Sequence, residues 1–245
     1  MRRGRSMSDI KLKAFEKMSG MELLVFFLLS MGSGVMVGLG GVSSLLANAL
    51  LGSFGRLIGA ILFSVGIFAI VTYNMNLFTG MVAEIPNIGL KNCWRLAVCF
   101  IGNTLGVAVL ALLSYHTQVA EIVKAQGVSV IEAKLGFDDW ALRAFCSSVL
   151  CGMLITISVK SRRYATQKGM SATLGVLFPI IVFAFCGFDH SVANMLYFIY
   201  YGAFSWKIVG YILLTVLGNL VGGVLFPLVS KLREYSEKKK AERNN

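Results

Sequence analysis

Long apolar stretches separated by short polar segments dominate this chain. A helix needs about 20 residues to cross a hydrocarbon core about 30 Å thick, and six of the stretches reach that length. They cover approximately residues 21–45, 56–88, 95–115, 141–160, 172–205 and 208–230. Together they predict an all-α integral membrane protein with six transmembrane helices.

The second and the fifth stretch are interrupted by short polar sequences. Residues 74–80 read Asn-Met-Asn-Leu-Phe-Thr-Gly, and residues 189–194 read Asp-His-Ser-Val-Ala-Asn. Polar groups deep in a bilayer are costly, and they are tolerated where they face protein or line a cavity. The pattern therefore predicts that both helices are broken near the bilayer midplane, and that the two breaks mark a transport path.

The chain divides into two halves, each with three apolar stretches and a broken middle one. Because three crossings reverse the direction of the chain, this predicts an inverted 3+3 repeat with a site between the halves. A helix that restarts in the membrane has unpaired N–H groups and a partial positive charge, which favour an anion. We expect Asn76 or Thr79 to cap the restarted helix of the first half, and Asp189 that of the second.

The distribution of basic residues predicts the orientation. Of the 23 lysines and arginines, 18 lie in the N-terminal head, in residues 91–95 and 160–168, and in the C-terminal tail. The positive-inside rule places these segments and both termini in the cytoplasm, in a multi-pass protein of the inner (plasma) membrane. The chain would then comprise a cytoplasmic segment (1–20), a pore domain (21–232) and a basic cytoplasmic tail (233–245).

Composition and spacing argue against several other classes of function. The residues are 56% hydrophobic and 14% charged, and the net charge of +11 is explained by topology. The basic ends lack the interleaved aromatic residues of a nucleic-acid-binding module, so no nucleic-acid partner is expected. The five cysteines have no CxxC or other metal-ligand spacing. We therefore expect a lipid bilayer as the surroundings, no metal site and no cofactor.

Three sequence motifs resemble the formate/nitrite transporter family. Residues 178–195, Phe-Pro-Ile-Ile-Val-Phe-Ala-Phe-Cys-Gly-Phe-Asp-His-Ser-Val-Ala-Asn-Met, resemble the signature of that family. Residues 77–80, Leu-Phe-Thr-Gly, are similar to its first helix break. Glu132-Ala133-Lys134, followed by Leu150-Cys151, resembles the approach to its fourth helix. The likeness extends from about residue 20 to residue 230.

The resemblance implies an aquaporin-like protomer of six helices, assembled as a homopentamer with one pore in each subunit. Family members are transporters rather than enzymes, and they pass small monovalent weak-acid anions such as formate, nitrite or hydrosulfide. Carried over by position, His190 would be the ionisable group at the pore centre, with Thr79 beside it on the opposite break. Asn194 would form a hydrogen bond within the second break.

The resemblance also implies two hydrophobic constrictions and an anion-attracting residue. The outer constriction would consist of Phe63, Ile67 and Phe183. The inner constriction would consist of Leu77, Phe78 and Ile155. Lys134 matches a vestibule lysine that draws anions towards the pore.

This chain departs from the family pattern at three places. Gly152 stands where most relatives have an asparagine, so a polar partner for the first break would be missing. Asn76 replaces a commonly acidic residue, and two extra residues separate Lys134 from the fourth helix. Glu84 lies in an apolar stretch, where an acid must face water or a partner; it would line the cytoplasmic vestibule or contact a neighbouring subunit.

Solvation energy suggests a mechanism without reference to the family. A bare anion loses much more hydration free energy in an apolar constriction than its neutral conjugate acid does, so a weak acid that gains a proton suits such a pore. Histidine, with a reference pKa of about 6.5, exchanges protons near neutral pH. We hypothesise that His190 supplies or relays that proton; the alternative is a neutral His190 that only hydrogen-bonds Thr79 or the substrate.

Two other classes of function share parts of this pattern. A water or small-solute facilitator would also have broken helices, but the paired Asn-Pro-Ala motifs of that class are absent. An intramembrane hydrolase would need a second catalytic group beside a nucleophile. Ser191 adjoins His190, but no G-x-S-x-G or HExxH motif accompanies it.

Overall fold

The computed structural model describes residues 18–88, 92–165 and 170–244. Most of the predicted N-terminal segment, with its basic residues, lies outside the described residues, as do Lys91 and Lys168. The described residues form helices and connecting segments, with no β-strand among them. The all-α prediction is therefore confirmed for this part of the chain.

Ten α-helices follow one another along the described residues. They are α1 (Gly20–Leu50), α2 (Gly55–Thr72), α3 (Phe78–Val82), α4 (Ile85–Ile88), α5 (Trp94–Ser114), α6 (Ala120–Leu135), α7 (Trp140–Ala165), α8 (Met170–Cys186), α9 (Ser191–Tyr201) and α10 (Trp206–Asn244). A short 3₁₀ turn, Gly52–Phe54, joins α1 to α2.

Six candidate membrane spans emerge from these helices. Five are single helical segments that are long and apolar enough to cross a bilayer, and the sixth is the α8–α9 pair, bent by 42° at its break. The second break divides a span, as the sequence predicts. The first break differs, because α2 is long enough by itself and only the short helices α3 and α4 follow it. Helix α2 ends before Asn74, whose φ of 54° is left-handed and cannot continue a helix.

Two helix pairs pack with their backbones in close contact. A Cβ atom placed on Gly34 of α1 would lie 2.0 Å from the carbonyl oxygen of Asn103 on α5. A Cβ atom on Gly222 of α10 would lie 1.9 Å from the carbonyl oxygen of Val149 on α7. Such glycine contacts let transmembrane helices approach closely, and here they place an asparagine of α5 and of α10 beside the two breaks.

Apolar side chains also cover the outer faces of the long helices. Exposed examples lie on six different helices: Leu28, Val65, Leu112, Leu142, Phe178 and Leu213. An apolar exterior of this kind is suited to lipid or to neighbouring subunits. The chain is therefore a multi-pass membrane protein.

Candidate pore centre

The two helix breaks meet in the interior of the protein. Thr79 is the second residue of α3, and His190 immediately precedes α9. The Oγ1 atom of Thr79 lies 2.9 Å from Nε2 of His190, and both residues are fully buried. Residues 111 positions apart in the chain thus form one polar contact between the two breaks.

The ring of His190 caps helix α9. Its Nδ1 atom accepts a hydrogen bond from the backbone N–H of Ala193 at 3.2 Å. An acceptor nitrogen carries no proton, so the neutral ring has its hydrogen on Nε2 and donates it to the Thr79 hydroxyl. The Thr79 O–H can then donate to a further acceptor.

The predicted caps are wrong at both breaks. Leu77 occupies the N-cap position of α3 and makes no side-chain capping bond, so neither Asn76 nor Thr79 acts as the cap. His190, and not Asp189, caps α9. The reason is that the side chains of Asn76 and Asp189 are engaged elsewhere: the Asn76 amide donates to the carbonyl of Phe26 at 3.1 Å, and Asp189 binds Lys134.

A buried asparagine from the third span fixes the first break. The Oδ1 atom of Asn103 accepts a hydrogen bond from the Phe78 N–H at 2.8 Å. Its Nδ2 donates to the Ser30 carbonyl at 2.7 Å and to the Asn76 carbonyl at 2.9 Å. One side chain therefore satisfies backbone groups within the break and at the start of α3, and ties them to α1.

A buried asparagine from the sixth span fixes the second break in the same way. The Oδ1 atom of Asn219 accepts from the Ser191 N–H at 2.8 Å. Its Nδ2 donates to the Ser148 carbonyl at 2.8 Å and to the Asp189 carbonyl at 2.9 Å. We refer to Asn103 and Asn219 as the asparagine braces.

The asparagine braces are residues of the site that the sequence interpretation missed. The sequence did contain a signal for them. Each asparagine lies in the apolar last span of its half, where an amide is costly unless it has a hydrogen-bond partner. The presence of Gly152 in place of an asparagine was expected to leave the first break without a polar partner. Asn103 supplies that partner. A Cβ atom on Gly152 would lie 2.6 Å from the carbonyl oxygen of Asn219, so close packing of α7 on α10 requires glycine there.

Lys134 and Asn194 both bind the carboxylate of Asp189. The Lys134 ammonium group forms an ion pair with Asp189 Oδ1, and Nδ2 of Asn194 donates to the same oxygen at 2.9 Å. Lys134 lies at the end of α6, a helix of 16 residues between the third and fourth spans. The carboxylate thus links α6 to the second break.

A cavity of about 410 Å³ lies on one side of the pore centre. We call it the Lys134 cavity. Its lining includes Lys134, Asn194, His190, Phe63 and Phe183. The rings of Phe63 and Phe183 meet edge to face with their centroids 5.5 Å apart. The structure thus brings together most of the side chains predicted for the centre and for the outer constriction.

A second cavity, of about 120 Å³, lies beyond the first break. We call it the Glu84 cavity. Glu84 lines it and forms an ion pair with Lys160 at 3.1 Å. Leu77, predicted for the inner constriction, and Ile67, predicted for the outer one, both line this cavity.

The two cavities share no lining residue among those described. Thr79 is buried and lines neither cavity, whereas its partner His190 lines the Lys134 cavity. The other two residues predicted for the inner constriction, Phe78 and Ile155, are buried in the core and line neither cavity. Phe78 packs against Phe100, with the ring centroids 5.2 Å apart. In the described part of the chain no three His, Cys, Asp or Glu side chains cluster as metal ligands.

Comparisons with known proteins place this chain among membrane transporters. The family model described as "Formate/nitrite transporter" matches residues 6–232. The chain is 28% identical over 192 residues to the uncharacterized transporter YrhG of Bacillus subtilis, covering 71% of this chain and 70% of that protein. It is 28% identical over 199 residues to a protein of Methanothermobacter thermautotrophicus named "Probable formate transporter", covering 70% and 72% of the two chains.

A solved structure has the same fold. It is described as a pentameric formate channel with formate bound, and it superposes with a TM-score of 0.75 at 19% identity, over 89% of this chain and 99% of the other. The family match covers most of the sequence, so the class is that of membrane transport proteins. The chain belongs to the formate/nitrite transporter family.

Proposed function

We propose that this protein is a channel for small monovalent weak-acid anions, such as formate, nitrite or hydrosulfide, which cross together with a proton. The observation that carries the proposal is the buried Thr79–His190 contact between two separate cavities. The names of the relative and of the solved structure, both of which refer to formate, support this class of substrate.

The barrier between the cavities favours the neutral form of a substrate. Phe183 stacks on the ring of His190 with the ring centroids 5.8 Å apart, and Phe63 packs edge to face on Phe183. Such apolar side chains cannot replace the hydration shell of an anion. The free energy of moving a charge into such surroundings is far higher than that of moving the conjugate acid. A weak acid avoids this cost by taking up a proton before it crosses.

His190 serves as a neutral hydrogen-bond donor in this proposal. Protonating Nδ1 would break its bond from the Ala193 N–H and place a cation at the positive end of the α9 dipole. The Nε2–H instead donates to the Thr79 hydroxyl, and the Thr79 O–H donates to the carboxylate-like end of the substrate and orients it. The substrate then takes its proton from water in the cavity. His190 thus has the second of the two roles considered above, that of a neutral residue that only forms hydrogen bonds.

Assembly, orientation and membrane belong to the same proposal. The pentameric state named for the structural relative supports a homopentamer with one pore in each subunit. The C-terminal part of α10 lies on the side of the Glu84 cavity, because Lys231 donates to the carbonyl of Pro86. Together with the basic residues of the tail, this supports a cytoplasmic Glu84 cavity, an outward Lys134 cavity and a plasma-membrane location. The protein is then a transporter and not an enzyme.

Flux measurements in liposomes test the function. Purified protein in liposomes should take up formate and nitrite faster than empty liposomes, with a rate that rises as external pH falls. Osmotic water flux without any acid flux would instead identify a water facilitator, and peptide cleavage would identify a hydrolase.

The role of His190 is tested by H190Q, which keeps an amide donor but cannot exchange protons near neutral pH. We expect lower flux with an unchanged shape of the pH profile, because the proton does not come from the ring. Loss of the pH dependence in H190Q, with pentamer assembly intact, would identify His190 as the proton relay.

A further inference from the structure

We propose that Arg56, and not Lys134, supplies the net positive charge that draws anions into the Lys134 cavity, and so sets the apparent affinity from that side. This inference rests on the proposed function. It arises because the residue matched to the family's anion-attracting lysine is neutralised here, while a second cation lines the same cavity.

The charge of Lys134 is compensated within the protein. Its ammonium group is paired with the Asp189 carboxylate, whose side chain is 5% exposed while that of Lys134 is 19% exposed. The ammonium group also lies 6.0 Å from the ring centroid of Tyr211. At the distance of an approaching anion, the adjacent positive and negative charges largely cancel, because the field of a charge pair falls off faster than that of a single charge.

Arg56 lines the same cavity without a carboxylate partner among the described residues. Its Nε donates to the Phe185 carbonyl at 2.5 Å, and its Nη2 donates to the Cys186 carbonyl at 3.0 Å. These are the last residues of α8, and a helix C-terminus carries only a partial negative charge of about one half. About half of the guanidinium charge is therefore uncompensated.

The backbone at Gly187 leaves room for the contact of Arg56 with the end of α8. Gly187 has a φ of +73°, and a Cβ atom there would lie 3.1 Å from Nη2 of Arg56. A guanidinium group has five N–H donors, and the two bonds to α8 use two of them. The remaining donors are available to water or to an anion, since Arg56 is exposed and lines the cavity.

The formal charges of the side chains at the cavity sum to +1, so the cavity keeps a net positive charge after the partial negative charge of the α8 C-terminus is counted. Arg56 and Lys134 are the charged residues in its described lining, and Asp189 lies directly behind Lys134. His190 also lines the cavity and is titratable. Its ring is neutral here, because Nδ1 accepts a hydrogen bond from the Ala193 N–H. The Glu84 cavity differs, because the carboxylate that lines it is paired with Lys160, so the two mouths of the pore are electrostatically unequal.

The test compares R56Q, R56K and the control R143Q in proteoliposomes. Arg143 is exposed and paired with Asp139 at 2.5 Å, and it does not line the cavity. Initial rates of formate uptake would be measured against external formate at low and high ionic strength. We expect R56Q to raise the KM about 3- to 10-fold at low salt, with little change in maximal rate, and the difference to shrink above about 0.5 M salt.

R56K separates charge from a clamping role of Arg56. Lysine keeps the charge but loses the two-pronged contact with the end of α8, so its KM should stay near the wild-type value, as should that of R143Q. Equal increases in KM for R56K and R56Q, or an unchanged KM in R56Q, would overturn the inference. Wild-type protein without uptake above empty liposomes would overturn the proposed function itself, which distinguishes the two failures.

Discussion

The two helix breaks are held by the same hydrogen-bond pattern but carry different chemistry. At each break, an asparagine of the last span in that half accepts from the first N–H of the restarted helix and donates to two carbonyls. At the first break the flanking residue is Asn76, whose amide donates to the Phe26 carbonyl. At the second break it is Asp189, which binds Lys134 and Asn194.

This difference separates the residues that hold the two breaks in place from the residues that set the charge near the pore centre. The asparagine braces bind backbone groups, so the positions of both breaks depend little on the neighbouring side chains. The side chains that differ between the breaks decide where charge and proton donors lie. The second break holds His190, Asp189 and Lys134, whereas the first contributes only the neutral Thr79 to the centre.

Loss of a brace should have the largest effect. N103L and N219L each remove three hydrogen bonds and leave buried backbone groups unsatisfied, at about 1–3 kcal/mol each. We expect both variants to lose about 3–5 kcal/mol of stability and most of their formate flux, as measured by thermal unfolding in detergent and by liposome uptake.

A matched asparagine outside the breaks provides the control for the braces. Asn92 donates to the carbonyl of Ile88, four residues earlier in the chain, so N92A should change stability by less than about 1 kcal/mol. If N103L were as mild as N92A while N219L was severe, the two breaks would not share one mode of support.

Introducing an acid at the first break should have the next largest effect on stability. N76D replaces the donor amide by a carboxylate that faces the Phe26 carbonyl, and no cation corresponding to Lys134 is paired with this position in the described residues. We expect a loss of about 1–3 kcal/mol in stability, measured by thermal unfolding. An unchanged melting temperature would mean that the first break tolerates a charge as the second does.

Removal of the Thr79 hydroxyl should have a smaller effect, seen in flux and not in folding. T79V keeps the shape but removes the partner of His190 Nε2. We expect formate flux to fall about tenfold, the equivalent of about 1.4 kcal/mol, while T79S retains it. Equal flux in T79V and wild type would exclude Thr79 from the transport path.

The sequence predicted the features that depend on local pattern. Six apolar stretches and the polar residues of 74–80 and 189–194 located the spans and both breaks, because hydrophobicity and helix-breaking residues act over a few positions. The motif of residues 178–195 identified the family, which the match to residues 6–232 then confirmed. The roles assigned to individual site residues stay predictions until transport is measured.

Only the tertiary structure decided which groups meet across the breaks. Asn103 and Asn219 reach backbone groups 25 to 73 residues away in sequence, and no local pattern specifies such partners. The same holds for Asp189, whose carboxylate was expected to cap α9 but instead pairs with Lys134, 55 residues earlier. Hydropathy determines which segments enter the membrane, because transfer from water depends on each segment's own composition. Hydrogen bonds inside the membrane depend on how the segments pack, since each buried polar group must find its partner within the folded protein.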